Sequence, residues 1–190
     1  MGKRLALLLF LSLLGLAPRE AGAQVLLSQQ EALRLAFPSA TRIERRTAYL
    51  GEKQLQAARQ LAGRGVAVEG GVVTYYVGLR GTAPLGVAYF DVHRVRTLPE
   101  VAMVVVAPNE RIERVEILKF AEPPQYKAPG PWIDQLEGRA LDPRLSLKGG
   151  VANMTGATLT SSALVSASRR VLALHRVIQP FAAPAAAGGR

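Results

Sequence analysis

Between residues 72 and 120 the chain writes four β-rich segments in succession, with no helical pattern between them. Residues 72–79, 85–95, 101–107 and 112–120 are rich in Val, Tyr and Phe, which suit a pleated, half-buried surface. Pro108-Asn109-Glu110 supplies a tight turn between the last two and predicts a hairpin. A block of strands like this must be covered on its apolar side, and helical patterns flank it. Upstream, Ser28-Gln29-Gln30-Glu31 has capping-box form and opens a short amphipathic helix with Ala32, Leu33, Leu35 and Ala36, stopped by Pro38. Residues 41–50 read as a strand of imperfect alternation. Residues 52–62 read as a second helix, with Leu55, Ala58 and Leu61 on one face and Gly63 and Gly65 ending it. Downstream, Leu164, Ala167, Val171, Leu174 and Ile178 recur at spacings of three and four, predicting a long final helix. The fold class expected is α/β of the α+β kind, a single domain with a mostly antiparallel sheet and flanking helices.

The 190 residues suffice for one domain with a real core. Residues 1–23 read as a secretory signal peptide: Lys3 and Arg4, an apolar run over 5–17, then Ala21-Gly22-Ala23 before a cleavage point at Gln24. The run is too short to span a bilayer comfortably, which argues against an uncleaved membrane anchor. The mature chain divides into an N-terminal helical/strand segment, 24–70, a main domain, 71–179, and a low-complexity tail, 180–190, expected to be disordered. With no cysteine, it is neither a lipoprotein, a disulfide scaffold nor a thiol enzyme. The reading is a soluble, exported, periplasmic protein. Loss of Lys3, Arg4, Arg19 and Glu20 with the signal leaves 21 basic and 13 acidic side chains, a net charge of +8. Its Arg residues are scattered, with no basic run beyond Arg45-Arg46 or Arg169-Arg170, which fits nucleic acid poorly; a merely soluble basic surface is the commoner explanation, with docking to an acidic redox partner the alternative.

Chemistry concentrates just before the final helix, at Thr155-Gly156-Ala157-Thr158-Leu159-Thr160. A helix start offers unpartnered N–H groups and partial positive charge, so a hydroxyl there is well placed to hold a phosphate. Taken alone, the word is a turn with an N-cap; its position ahead of a helical pattern is what lifts it. Thr158, Thr160 and Ser161 are the hydroxyls suited to that cap. His93, close to Asp91 in an alternating run, and His175, near the end of the last helix where cations are favoured, are given structural roles, the alternatives being a His93–Asp91 pairing or a functional Arg94/Arg96 face, and no metal site is expected. No Ser-His-Asp set, P-loop or dinucleotide fingerprint is present.

The word T-G-A-T-L-T resembles the flavin-attachment motif of the FMN-binding domain family, which includes the periplasmic FMN-carrying subunits of the Rnf and sodium-translocating NADH:quinone reductase complexes. Other pieces follow the family's order. Glu122-Pro123-Pro124 stands for its E-x-P loop, and Trp132-Ile133-Asp134-Gln135-Leu136-Glu137-Gly138-Arg139 for its W-x-x-Q-F-x-G-K stretch. The likeness covers roughly residues 84–178, and Leu35-Ala36-Phe37-Pro38-Ser39-Ala40 resembles the F-P-x-A segment of exported members.

The resemblance implies FMN as cofactor, joined through a phosphoester to Thr158 by a separate flavin transferase, with noncovalent binding as the fallback. It places Thr155, Gly156, Ala157, Leu159 and Thr160 around the attachment point, and Glu122, Pro123 and Pro124 near the isoalloxazine ring. Tyr126 and Trp132 would stack on or edge the flavin, with ordinary core packing the alternative for both. Lys148, followed by Gly149-Gly150, would meet the phosphate, the alternative being a solvated lysine beside a turn. Members commonly carry Asp three residues before the motif's first Ser/Thr; here that place holds Ala152, followed by Asn153 and Met154. The function implied is electron transfer with a redox partner protein or a membrane electron-transfer complex. The alternatives are a flavin-free exported binding or assembly module of the same fold and, more weakly supported, a flavin enzyme with its own small substrate.

Overall fold

Residues 24–182 are described by the computed structural model; the signal segment read in 1–23 and the tail residues 183–190 lie outside them. The chain runs β1 Gln24–Val25, α1 Gln29–Ala36, β2 Arg42–Tyr49, α2 Glu52–Ala62, β3 Val72–Arg80, β4 Ala83–Arg94, β5 Pro99–Val106, β6 Ile112–Phe120, α3 Gly130–Ile133 and α4 Thr158–Ile178. The six strands form one antiparallel sheet in the order β1-β6-β5-β4-β3-β2. Segments 24–70 and 71–179 therefore contribute to the same sheet, with β2 paired to β3. The two-residue β1 edge, too short for a periodic signal, is the strand that the sequence analysis lacks.

Local signals act as their chemistry requires. The Ser28 hydroxyl accepts the Glu31 N–H, and the Glu31 carboxylate accepts the Ser28 N–H at 2.8 Å, closing the capping box. Gly63, at φ 93°, terminates α2 in a conformation that side chains with a Cβ avoid.

The sheet is buried on both faces. Val77, Val87, Tyr89, Val104 and Ile117 face α2 and α4, meeting Leu55, Ala58, Leu164 and Leu172. Ala88, Met103, Val105 and Leu118 face α1 and Phe37 on the other side. This double cover explains why β5 is a near-continuous apolar run and not an alternating one. The Phe37 ring lies over Gly78, where a Cβ would come within 2.5 Å of the ring carbons. Gly78→Ala is expected to cost about 1–3 kcal/mol by overpacking. A thermal melt should show a drop of several degrees, and an unchanged Tm would contradict this packing.

Charged groups are buried where β4 and β5 meet. His93 Nδ1 lies 2.9 Å from Asp91 Oδ1, and Nε2 lies 2.8 Å from Glu100 Oε2. From α4, Arg170 makes a two-pronged contact to Asp91 at 2.7 Å on each oxygen. Burial would lower the His93 pKa, but the two carboxylates overcome it and raise it to about 9. Burial would likewise raise Asp91, but Arg170 and His93 pull it down to about 2. His175 departs from the expected cation at a helix end. It is buried, its Nδ1 is 3.1 Å from the Tyr89 hydroxyl, and desolvation lowers its pKa to about 4, so it is neutral at pH 7.

Candidate functional site

Helix α4 begins at Thr158, and the turn before it depends on Gly156. At φ 79° this residue is in the left-handed region, while a Cβ there would touch nothing; glycine is needed for conformation and not for space. The N-cap is Ala157, whose carbonyl accepts the Ser161 N–H, and no side chain caps the helix. This corrects the expectation of a hydroxyl cap, because each hydroxyl has another use. Thr160 Oγ1 donates to the Tyr126 carbonyl at 2.7 Å. Ser161 Oγ faces Asn153 Oδ1 and the carbonyls of Ala157 and Thr158. Thr158 Oγ1 accepts from Asn153 Nδ2 at 3.3 Å. The first-turn N–H groups thus point outward with no side-chain acceptor, at the positive end of a 21-residue helix.

Beside this helix start lies a cavity of about 330 Å³, within the range of roughly 300–1,000 Å³ found for small-molecule sites. Gly156, Ala157, Thr158, Leu159 and Thr160 form one wall; Val95, Arg96, Glu122 and Tyr126 form the other. Thr158 and Leu159 are exposed, whereas Thr160 is buried.

Glu122 builds the second wall through the backbone. Its Oε1 accepts the N–H groups of Thr97 at 2.7 Å, Leu98 at 2.8 Å and Arg96 at 3.2 Å. The Leu98 and Thr97 amides lower its pKa, so it is a carboxylate committed to the β4–β5 turn. Register places it there: Glu100 pairs with Phe120, which carries residue 122 alongside the turn. Arg96, held by that turn, brings the cation into the cavity wall.

The remaining predicted residues lie outside the cavity lining. Pro124 opens the 3-10 turn Pro124–Tyr126 that presents Tyr126. Trp132 is buried and donates its indole N–H to the Ala152 carbonyl at 2.7 Å, while Gln135 Oε1 accepts the Ala152 N–H at 3.0 Å. The W-x-x-Q pair grips the backbone leading into the motif, and Arg139 adds contacts to the carbonyls of Gln135 and Gly150. Thr155 is exposed and outside the cavity lining. Lys148 is exposed beside a different cavity, with Ser146, Ser162 and Arg169. Gly149 is required for close packing, since a Cβ would lie 2.6 Å from the Pro143 carbonyl oxygen.

A larger groove, about 810 Å³, runs beside α4 over β3 and β4. Its Asp91, His93 and Arg170 are bonded to one another, so their charges are already matched. The cavity at the α4 start differs in offering an exposed hydroxyl, outward amides and an arginine around one space. That set suits the phosphate of a nucleotide whose flat ring lies against Tyr126, Leu159 and Val95.

Residues 99–173 match the model of the FMN-binding domain family. The chain matches no curated protein. The matched segment runs from β5 into α4 and contains Glu122, Tyr126, Trp132 and the whole T-G-A-T-L-T word; Val95 and Arg96 stand just ahead of it. The match supports an FMN-binding domain over residues 99–173, with FMN as its cofactor.

Proposed function

We propose that this is an exported electron-transfer protein whose FMN is esterified through its phosphate to Thr158. The observation that carries the reading is the exposed Thr158 hydroxyl at an uncapped helix start, opening on a cavity with Arg96 in its far wall. The flavin, when bound, supplies the redox chemistry. The chain's own residues bind and shield it. The amides of residues 158–160 and the helix dipole hold the phosphate, and Arg96 offsets its charge. Val95, Tyr126, Ala157 and Leu159 keep water from one side of the ring. Glu122 is the only acidic side chain in the lining, and its Oε1 is taken up by three amides, which favours a carrier over an enzyme with a substrate of its own.

The partners proposed are a flavin transferase that modifies Thr158 and a redox protein or membrane electron-transfer complex, reached in the periplasm after removal of residues 1–23. The basic surface suits an acidic partner. Ala152, where relatives carry Asp, favours a second reading, a flavin-free binding module. Co-expression with a flavin transferase followed by acid precipitation separates them. Flavin absorbance that stays with the pelleted protein supports the carrier; a colourless pellet and a colourless supernatant support the module.

A further inference from the structure

The segment before the motif contains one side chain that reaches the attachment hydroxyl. Asn153 Nδ2 donates to Thr158 Oγ1 at 3.3 Å. The orientation of this amide follows from its other contact. The Met154 N–H, 2.9 Å away, can only donate, so the group it meets is Oδ1, and the NH₂ end must face Thr158. Ser161 Oγ lies 3.0 Å from the same Oδ1 and is itself fully buried in the first turn of α4. The fork of Asn153 is thereby anchored at one end by the backbone and the helix. Its other end holds Thr158. The loop that carries Asn153 is fixed in turn by Trp132 and Gln135 on Ala152.

We infer that Asn153 is a positioning residue for flavin attachment, holding the Thr158 oxygen at the cavity mouth with its hydroxyl proton directed outward. The inference rests on the proposed esterification of Thr158. In that transfer Thr158 Oγ1 forms a bond to the FMN phosphorus of FAD. The phosphoanhydride P–O bond breaks and AMP leaves with its electron pair. The hydroxyl proton passes to a base of the transferase or to water. Donation from Asn153 occupies one lone pair of Oγ1 and restricts rotation about the Thr158 Cα–Cβ bond. The other lone pair and the O–H remain free for the transferase. After esterification the bridging oxygen still accepts from Asn153, so the same contact steadies the linkage.

The test is a time course of modification with purified unmodified protein, flavin transferase and FAD, read by intact mass. Asn153→Ala should slow ester formation roughly 10- to 100-fold, the scale on which lost orientation acts. Its melting temperature and its noncovalent affinity for FMN should stay close to wild type. Asn153→Asp keeps an oxygen for the Met154 N–H and the Ser161 hydroxyl but has no N–H to donate to Thr158, and should be slowed to a similar degree. Wild-type rates in Asn153→Ala would overturn the positioning role while leaving the esterification intact. A wild-type rate in Asn153→Asp, which keeps the loop anchored but cannot donate, would show that donation to Thr158 does not position the oxygen and would overturn it as well. Failure of the wild type to be modified would overturn the esterification itself and this inference with it.

Discussion

On the proposed esterification of Thr158, Thr158→Val is expected to remove covalent flavin completely and leave the fold in place. Valine has nearly the shape of threonine and the same β-branched stiffness at the first position of α4. Thr158 is exposed, and its hydroxyl takes part in a single long contact from Asn153, so stability should change by no more than about 0.5 kcal/mol. The neighbouring hydroxyls are poorly placed for the proposed ester: Thr160 is buried against the Tyr126 carbonyl, Ser161 is fully buried, and the exposed Thr155 and Ser162 stand outside the cavity lining. The amides of the first turn and Arg96 are unchanged, so the variant should still take up FMN reversibly. Thr158→Ser restores the oxygen and should restore the ester. Flavin that survives denaturation of Thr158→Val would show that another residue is the anchor.

The largest effect on stability is expected from His93→Ala. Glu100 is fully buried; its Oε1 has no partner among the described residues, and its Oε2 is held by His93. Removing the imidazole leaves a buried carboxylate without a counter-charge, a change that costs about 3–5 kcal/mol. For a domain of this size that corresponds to a fall in Tm on the order of 10 °C. Adding Glu100→Gln should recover much of it, since the uncompensated charge disappears. The same network sets the alkaline limit of the wild type. With its pKa raised from 6.5 to about 9, His93 contributes fully below pH 6.5 and loses its contribution as pH rises through 9. On the acid side His175 dominates: its pKa is depressed to about 4, so its contribution is complete above pH 6.5 and is lost as pH falls through 4. Asp91, at about 2, holds its pairing until lower pH still. Melting temperatures measured from pH 4 to 10 should therefore pass through a maximum near pH 6.5 and fall on either side. In His93→Ala the alkaline fall should be largely absent; a fall identical to wild type would remove His93 as its cause.

The contrast between what was legible in sequence and what was not follows the range of the forces involved. Helix α2 starts after Gly51 and ends at Gly63 as local chemistry dictates. The four-strand block 72–120 becomes β3 to β6, with the hairpin turn at Pro108-Asn109-Glu110 in place. The final helix is read correctly because its periodic pattern is contiguous. Arg96 is another matter. Only the β5–β6 register and the grip of Glu122 on the 96–98 amides bring it opposite Thr158, and neither is written locally. The missing hydroxyl cap has the same origin, since Thr160 is drawn off by the distant Tyr126 carbonyl. Trp132 shows how a motif residue can serve a site without facing it. Its ring packs in the core, and its N–H fixes the backbone from which the motif emerges.

The most direct test of the account is an intact mass measurement on the protein expressed with its export signal alongside a flavin transferase, followed by peptide mapping. The account predicts a species heavier by one FMN ester, with the addition confined to the peptide containing Thr158. An unmodified mass, with no flavin released on denaturation, would contradict it.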